Sequence, residues 1–123
     1  MITLFGISNC DSVKRARKWL EQQQLDYQFH DFRVDGLERK RVQHWLDSQD
    51  AAKLVNRRST SWKQLDQQQR DKIASEIEQG NSYTATLKSV LASPTLLKRP
   101  LLEVDGVLQE IGFDESAYDK RLR

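Results

Sequence analysis

Cys10 is the only cysteine among the 123 residues, and its place in the chain makes it the first candidate for chemistry. It stands between a short apolar run, Ile2-Thr3-Leu4-Phe5-Gly6-Ile7, and a segment from Asp11 in which Val13, Ala16 and Leu20 recur at helical spacing. The first turn of a helix has backbone N–H groups without partners and the positive end of the helix dipole, so an anion is favoured there. A thiol so placed is expected to be a nucleophile rather than the small buried hydrophobe that a free cysteine usually is. With a single thiol, neither an internal disulfide nor a thiolate metal cluster can be built. A covalent adduct at Cys10 must therefore be resolved by an external thiol. Asn9 and Ser12 flank it and can either cap the helix or hydrogen-bond the sulfur. His30 alternates with Phe29 and Asp31 as in a strand, and His44 sits beside Trp45 in a helical stretch. Both read as structural or solvent-facing, and their spacing is not that of metal ligands, so no metal is expected.

The elements that must position Cys10 follow from the periodicities. Residues 2–7 read as a buried strand, the segment from Asp11 to about Gln24 as a helix, and Tyr27 to Phe32 as a second strand that Asp35-Gly36 breaks. This is a β-α-β unit, whose strands should be parallel. The middle is helical: Val42, Trp45 and Leu46 form one stripe, Ile73, Ala74 and Ile77 another, and Tyr83, Leu87, Val90 and Leu91 a third that Ser93-Pro94 ends. Asp105-Gly106 between Leu101–Val104 and Val107–Ile111 is a hairpin signal, because a type I′ turn needs positive φ at both central residues. A short helix, roughly Asp114 to Leu122, closes the chain. The order predicts an α/β, thioredoxin-like fold: a four-stranded mixed sheet with an all-helical insertion. It is expected as one domain over 1–123, with the thioredoxin-like core at about 1–33 and 94–123 and the insert at about 37–93.

The 20 Lys and Arg nearly balance the 18 Asp and Glu, so the net charge of +2 offers little general attraction to nucleic acid or acidic membranes. The basic clusters 14–18 and 39–41 read as solvated helix faces. No apolar run approaches the length of about 20 that a membrane span needs, and Met1–Gly6 lacks the pattern of a signal peptide, so the cytoplasm is the expected compartment.

Three segments, Ile2-Thr3-Leu4-Phe5-Gly6-Ile7-Ser8-Asn9-Cys10-Asp11-Ser12-Val13-Lys14-Arg15-Ala16, Leu54-Val55-Asn56-Arg57-Arg58-Ser59-Thr60-Ser61-Trp62 and Leu97-Lys98-Arg99-Pro100-Leu101, carry a further signal. Together, and in that order, they resemble the arsenate reductase-like (ArsC) family, and within it the YffB branch. The resemblance implies a thioredoxin fold with a helical insert, Cys10 as the catalytic residue, and a glutathione-dependent thiol reductase. Glutathione is then the expected co-substrate, with glutaredoxin the other candidate reductant, and a monomer is expected. It also implies that Arg58 and Arg99 face the thiol and bind substrate or anion, with Arg57 the adjacent alternative to Arg58. A guanidinium both stabilises a thiolate and grips a carboxylate or oxyanion by paired hydrogen bonds. Pro100 is expected to follow a cis peptide bond facing Cys10.

The sequence departs from the family in two places. Cys10-Asp11-Ser12-Val13 ends in Val13, so the CxxC switch of the Spx regulators in the same superfamily cannot form. Arsenate reductases of the family present a further arginine beyond the Arg-Pro motif, and the stretch around Gly112 offers none. Arsenate reduction with glutathione or glutaredoxin is the alternative activity. A non-catalytic, Spx-like protein that binds transcription machinery is the alternative of another class.

Overall fold

The apolar run after Met1 and the alternation from Tyr27 become two strands, β1 (Ile2–Gly6) and β2 (Tyr27–Asp31), joined by α1 (Asp11–Gln22). A computed structural model describes all residues, Met1–Arg123. The chain continues through α2 (Phe32–Asp35), α3 (Arg39–Ser48), α4 (Ala51–Leu54), α5 (Thr60–Gln64), α6 (Gln67–Gln79) and α7 (Thr84–Ala92) to a 3₁₀ turn at Pro94–Leu96. It ends with β3 (Leu101–Val104), β4 (Val107–Ile111) and α8 (Glu115–Leu122). Its contacts divide into two units, one of Met1–Gly36 with Arg99–Arg123 and one of Leu37–Lys98.

The first unit is the mixed, thioredoxin-like sheet. Its strand order is β2-β1-β3-β4, with β1 parallel to β2 and antiparallel to β3, and β3 antiparallel to β4. Asp105 and Gly106 join the last two strands at φ 51° and 81°, the doubly positive turn that the sequence predicts. One face of the sheet buries Leu4 and Leu102 against Val13, Ala16, Trp19 and Leu20 of α1 and Tyr118 of α8. Tyr118 meets Trp19 and Phe113 edge-on, with centroids 6.0 and 4.9 Å apart, contacts of about 0.5–1.5 kcal/mol each beyond simple burial.

Besides Ile7, which falls outside β1, two boundaries differ from those expected. Helix α1 stops at Gln22 rather than Gln24, because Gln24 turns to a φ of 57°. Strand β2 stops at Asp31, whose carboxylate accepts from the N–H of Arg33 and starts α2 at Phe32.

In the second unit α7 packs on α3 and α6, and Val42, Trp45, Leu46, Ile73, Leu87 and Val90 are buried. Ala74, Ile77 and Leu91 of the expected stripes are only half-buried; α6 packs chiefly on one neighbour, which covers a narrow stripe. Asp66 and Gln69 form a reciprocal capping box at the start of α6. Helix α7 has no side-chain cap of its own. Instead Glu76 of α6 accepts from the N–H groups of Ala85 and Thr86, both at 2.8 Å, and from the Thr86 hydroxyl at 2.7 Å. The segment before α5 pairs with the segment before Arg99 through the Val55–Leu97 bridge, with the N–H of Asn56 donating to Leu96 O and that of Lys98 to Leu54 O, both at 2.8 Å. No helix is long and apolar enough to cross a membrane.

Candidate active site

Gly6 ends β1 under the first helix. A Cβ built on it would lie 2.6 Å from Cγ2 of Val13, so only glycine lets α1 approach the strand this closely. The connection is then a single tight turn, Ile7 to Cys10, in which the N–H of Cys10 donates to Ile7 O at 3.3 Å. Its start is held from the neighbouring strand, where Oδ2 of Asp31 accepts from the N–H of Ser8 at 3.3 Å.

The turn delivers Cys10 to the N-cap of α1. Its φ and ψ of −97° and 127° are the extended values of a cap, and its carbonyl accepts from the N–H of Lys14 at 2.9 Å. The side chain makes no capping hydrogen bond. A half-buried Cys10 thus stands at the end of a twelve-residue helix whose dipole and first backbone N–H groups favour an anion. The cap position falls to Cys10 itself, and not to Asn9 or Ser12. Asn9 is exposed, and the Ser12 hydroxyl accepts from the guanidinium of Arg15 at 3.2 Å.

Strand pairing brings Arg99 and Pro100 to the same end of the sheet. Phe5 pairs with Leu101 in the antiparallel β1–β3 register, so Pro100, directly before Leu101, enters β3 at the end where β1 leaves for Cys10. The Arg99–Pro100 peptide bond is cis, as the sequence predicts. The Pro100 carbonyl accepts from the N–H of Gly112 at 2.8 Å, which fixes the approach to β3. Arg99 is half-buried with its Nε shielded from solvent.

Arg57 and Arg58 belong to the second unit, in the turn between α4 and α5, and both are exposed. The guanidinium of Arg57 lies over the Trp62 ring at 5.6 Å. Arg58 is held through its backbone, its N–H donating to Oδ1 of Asn56 at 3.0 Å. Cys10, Asn9, Ser12, Arg99 and Pro100 therefore share one unit, while Arg58 is carried by the other. His30 is anchored to the Gly36 carbonyl through Nε2 at 2.6 Å, a structural bond, and His44 is exposed on α3. No group of His, Cys, Asp and Glu is arranged to hold a metal ion.

Comparison with known proteins places the chain that carries this N-cap cysteine and this cis Arg99–Pro100 bond. The sequence profile of the ArsC family matches residues 5–121. The chain belongs to the ArsC family. It is 39% identical to an uncharacterized protein of Haemophilus influenzae, covering 96% of both chains. Among solved structures it is similar to the YffB protein, with 30% identity, full coverage of both chains and a TM-score of 0.86. It is also similar to an arsenate reductase (ArsC) related protein from Brucella melitensis, with 34% identity over 97% of this chain and 92% of the other and a TM-score of 0.69. The global transcriptional regulator Spx of Streptococcus pneumoniae is 29% identical, over 94% of this chain and 80% of the regulator.

The sequence missed Asp31, which this ArsC-family chain places beside the turn that carries Cys10. Asp31 falls on the same face of the strand as Tyr27 and Phe29, a place where the pattern calls for an apolar residue, and there it is buried and holds the thiol turn. The available signal was an Asp directly before a one-turn Phe-Arg-Val-Asp-Gly segment, the pattern of a capping residue.

Proposed function

We propose that this protein is a glutathione-dependent thiol reductase that acts through Cys10 alone. The observation that carries this reading is a lone thiol at the N-cap of α1, free of any capping bond, at the sheet end where Arg99 and Pro100 stand. Membership of the ArsC family supports thiol-based reduction in general. The Cys10 thiolate attacks one sulfur of an oxidised substrate disulfide; that S–S bond breaks, the departing thiolate takes a proton from water, and Cys10 is left in a mixed disulfide. With no second cysteine in the chain, the thiolate of glutathione, or of a glutaredoxin that glutathione keeps reduced, attacks the substrate sulfur of the mixed disulfide. The bond to Cys10 breaks, its thiolate is restored, and the substrate half leaves as a disulfide with the attacking thiol, from which a second glutathione frees it as oxidised glutathione forms. Arg99 binds the carboxylates or oxyanion of the reacting partner, with Asn9 and Ser12 as polar neighbours of the sulfur. The protein acts as a monomer in the cytoplasm, where thiol pools are kept reduced.

Incubation of the pure protein with oxidised glutathione tests this. A glutathione adduct mapping to Cys10 by mass spectrometry, released by reduced glutathione and absent from Cys10→Ser, is expected. A Cys10 that stays unmodified would sink it.

Arsenate reduction is the second reading, favoured by the likeness to the arsenate reductase related protein of Brucella melitensis. The residues after Pro100 argue against it, since the stretch around Gly112 carries no arginine to complete an oxyanion grip. The likeness to Spx favours a third, non-catalytic reading, in which the chain binds transcription machinery; Val13 in place of a second cysteine removes the redox switch from that role.

A further inference from the structure

We propose that Asp31 is a positioning residue for the Cys10 thiol, acting through the turn that carries it. Asp31 is only 9% exposed and stands at the end of β2, level with Gly6 on β1. Oδ1 accepts from the N–H of Arg33 at 2.8 Å and closes the first turn of α2. Oδ2 accepts from the N–H of Ser8 at 3.3 Å, a bond across 23 positions in the chain. Ser8 is the second residue of the turn that the Cys10 N–H closes on Ile7 O. One carboxylate therefore ties the β1–α1 turn to the β2–α2 turn.

The support around Asp31 is itself fixed. Its N–H donates to Oδ2 of Asp35 at 3.0 Å, and the preceding His30 ring is bonded to the Gly36 carbonyl. A buried carboxylate is costly unless hydrogen-bonded, and two backbone donors offset that cost. Serving both donors requires two acceptor oxygens. An amide in the same place offers one acceptor and one NH₂, so one backbone N–H would face another donor.

The inference rests on Cys10 being the reacting thiol, and not on the identity of its oxidised substrate. The test compares Asp31→Asn with Asp114→Ala in the full-length chain. Asp114 caps α8 by accepting from the N–H of Ala117 at 3.0 Å, so its loss removes a comparable helix cap without touching the thiol turn. Two quantities are read: hydrogen exchange of the Ser8 amide by NMR, and the rate of Cys10 alkylation by iodoacetamide at fixed pH. In Asp31→Asn the Ser8 amide is expected to exchange about tenfold faster. Alkylation should slow on the order of tenfold, because the thiol loses its alignment with the helix terminus. Asp114→Ala should change neither.

The sign of the effect separates a tether from a charge. Removing a nearby negative charge would by itself favour a thiolate and speed alkylation, so a faster or unchanged rate in folded Asp31→Asn overturns the proposal. If that variant does not fold, Ser8→Pro deletes the donor instead, at a turn position that proline favours. It should slow alkylation with Asp31 intact, and an unchanged rate there overturns the proposal equally. Slowed alkylation in a protein that forms no glutathione adduct would leave the tether standing and remove only the reductase reading.

Discussion

A guanidinium near a thiol has work that no apolar residue can take over, and the three candidate arginines differ in how they are held. Arg57 is stacked on Trp62, Arg58 is held only by its backbone, and Arg99 is half-buried beside β3. Arg99→Ala is expected to slow glutathione exchange at Cys10 about tenfold, the size of one charge-assisted hydrogen bond, with circular dichroism unchanged. Arg57→Ala should leave the rate near wild type, and stopped-flow measurement of both variants checks the ranking. Tyr118 offers a separate test at this scale. Burial, and secondarily the Glu110 carboxylate, push its phenol well above the ordinary value of 10.0. Below that value both folded and unfolded chains hold the proton, and the contribution to stability is fully present. As pH rises above it, the unfolded chain loses the proton first, so stability falls. Tyr118→Phe gives up the bond to Gly112 O, about 1 kcal/mol, and should lose less stability between neutral and strongly alkaline pH. Urea unfolding at several pH values reads the difference.

The elements show why some of this was legible in the sequence and some was not. Strand β1, helix α1 and the Asp105-Gly106 hairpin declare themselves through period, composition and turn chemistry within a few neighbouring residues. Helices α2, α4 and α5 have four or five residues each, too few for a stripe, and are started by the side chains of Asp31, Asp50 and Ser59. Periodicity cannot see such helices; a capping pattern can. Cys10 and Arg99 were legible as residue types in recognisable places. The bond from Ser8 to Asp31 was not, because nothing local reports which strand will come to lie alongside. The close approach of β1 and α1 leads to a prediction of its own. Gly6→Ala should destabilise the protein by about 1–3 kcal/mol by overpacking against Val13. Gly6→Ala with Val13→Ala should recover part of that loss, a coupling that a double-mutant cycle measures.

At the level of the whole molecule, the substrate question turns on how many cations the site can gather around an oxyanion. Assayed beside an arsenate reductase of the family, with glutathione and glutaredoxin supplied, this protein is expected to turn over arsenate far more slowly. Equal rates would make arsenate reduction the better assignment. The order of the strands has another consequence. The sheet of the first unit is discontinuous in sequence, with β1 paired to a strand that begins only at Leu101 and the core around Cys10 completed by Leu102 and Tyr118. During synthesis the nascent chain presents its one thiol long before those residues exist to pack against it. Translation therefore passes through a stage in which Cys10 is open to its surroundings without the packing that the finished sheet and α8 put around it.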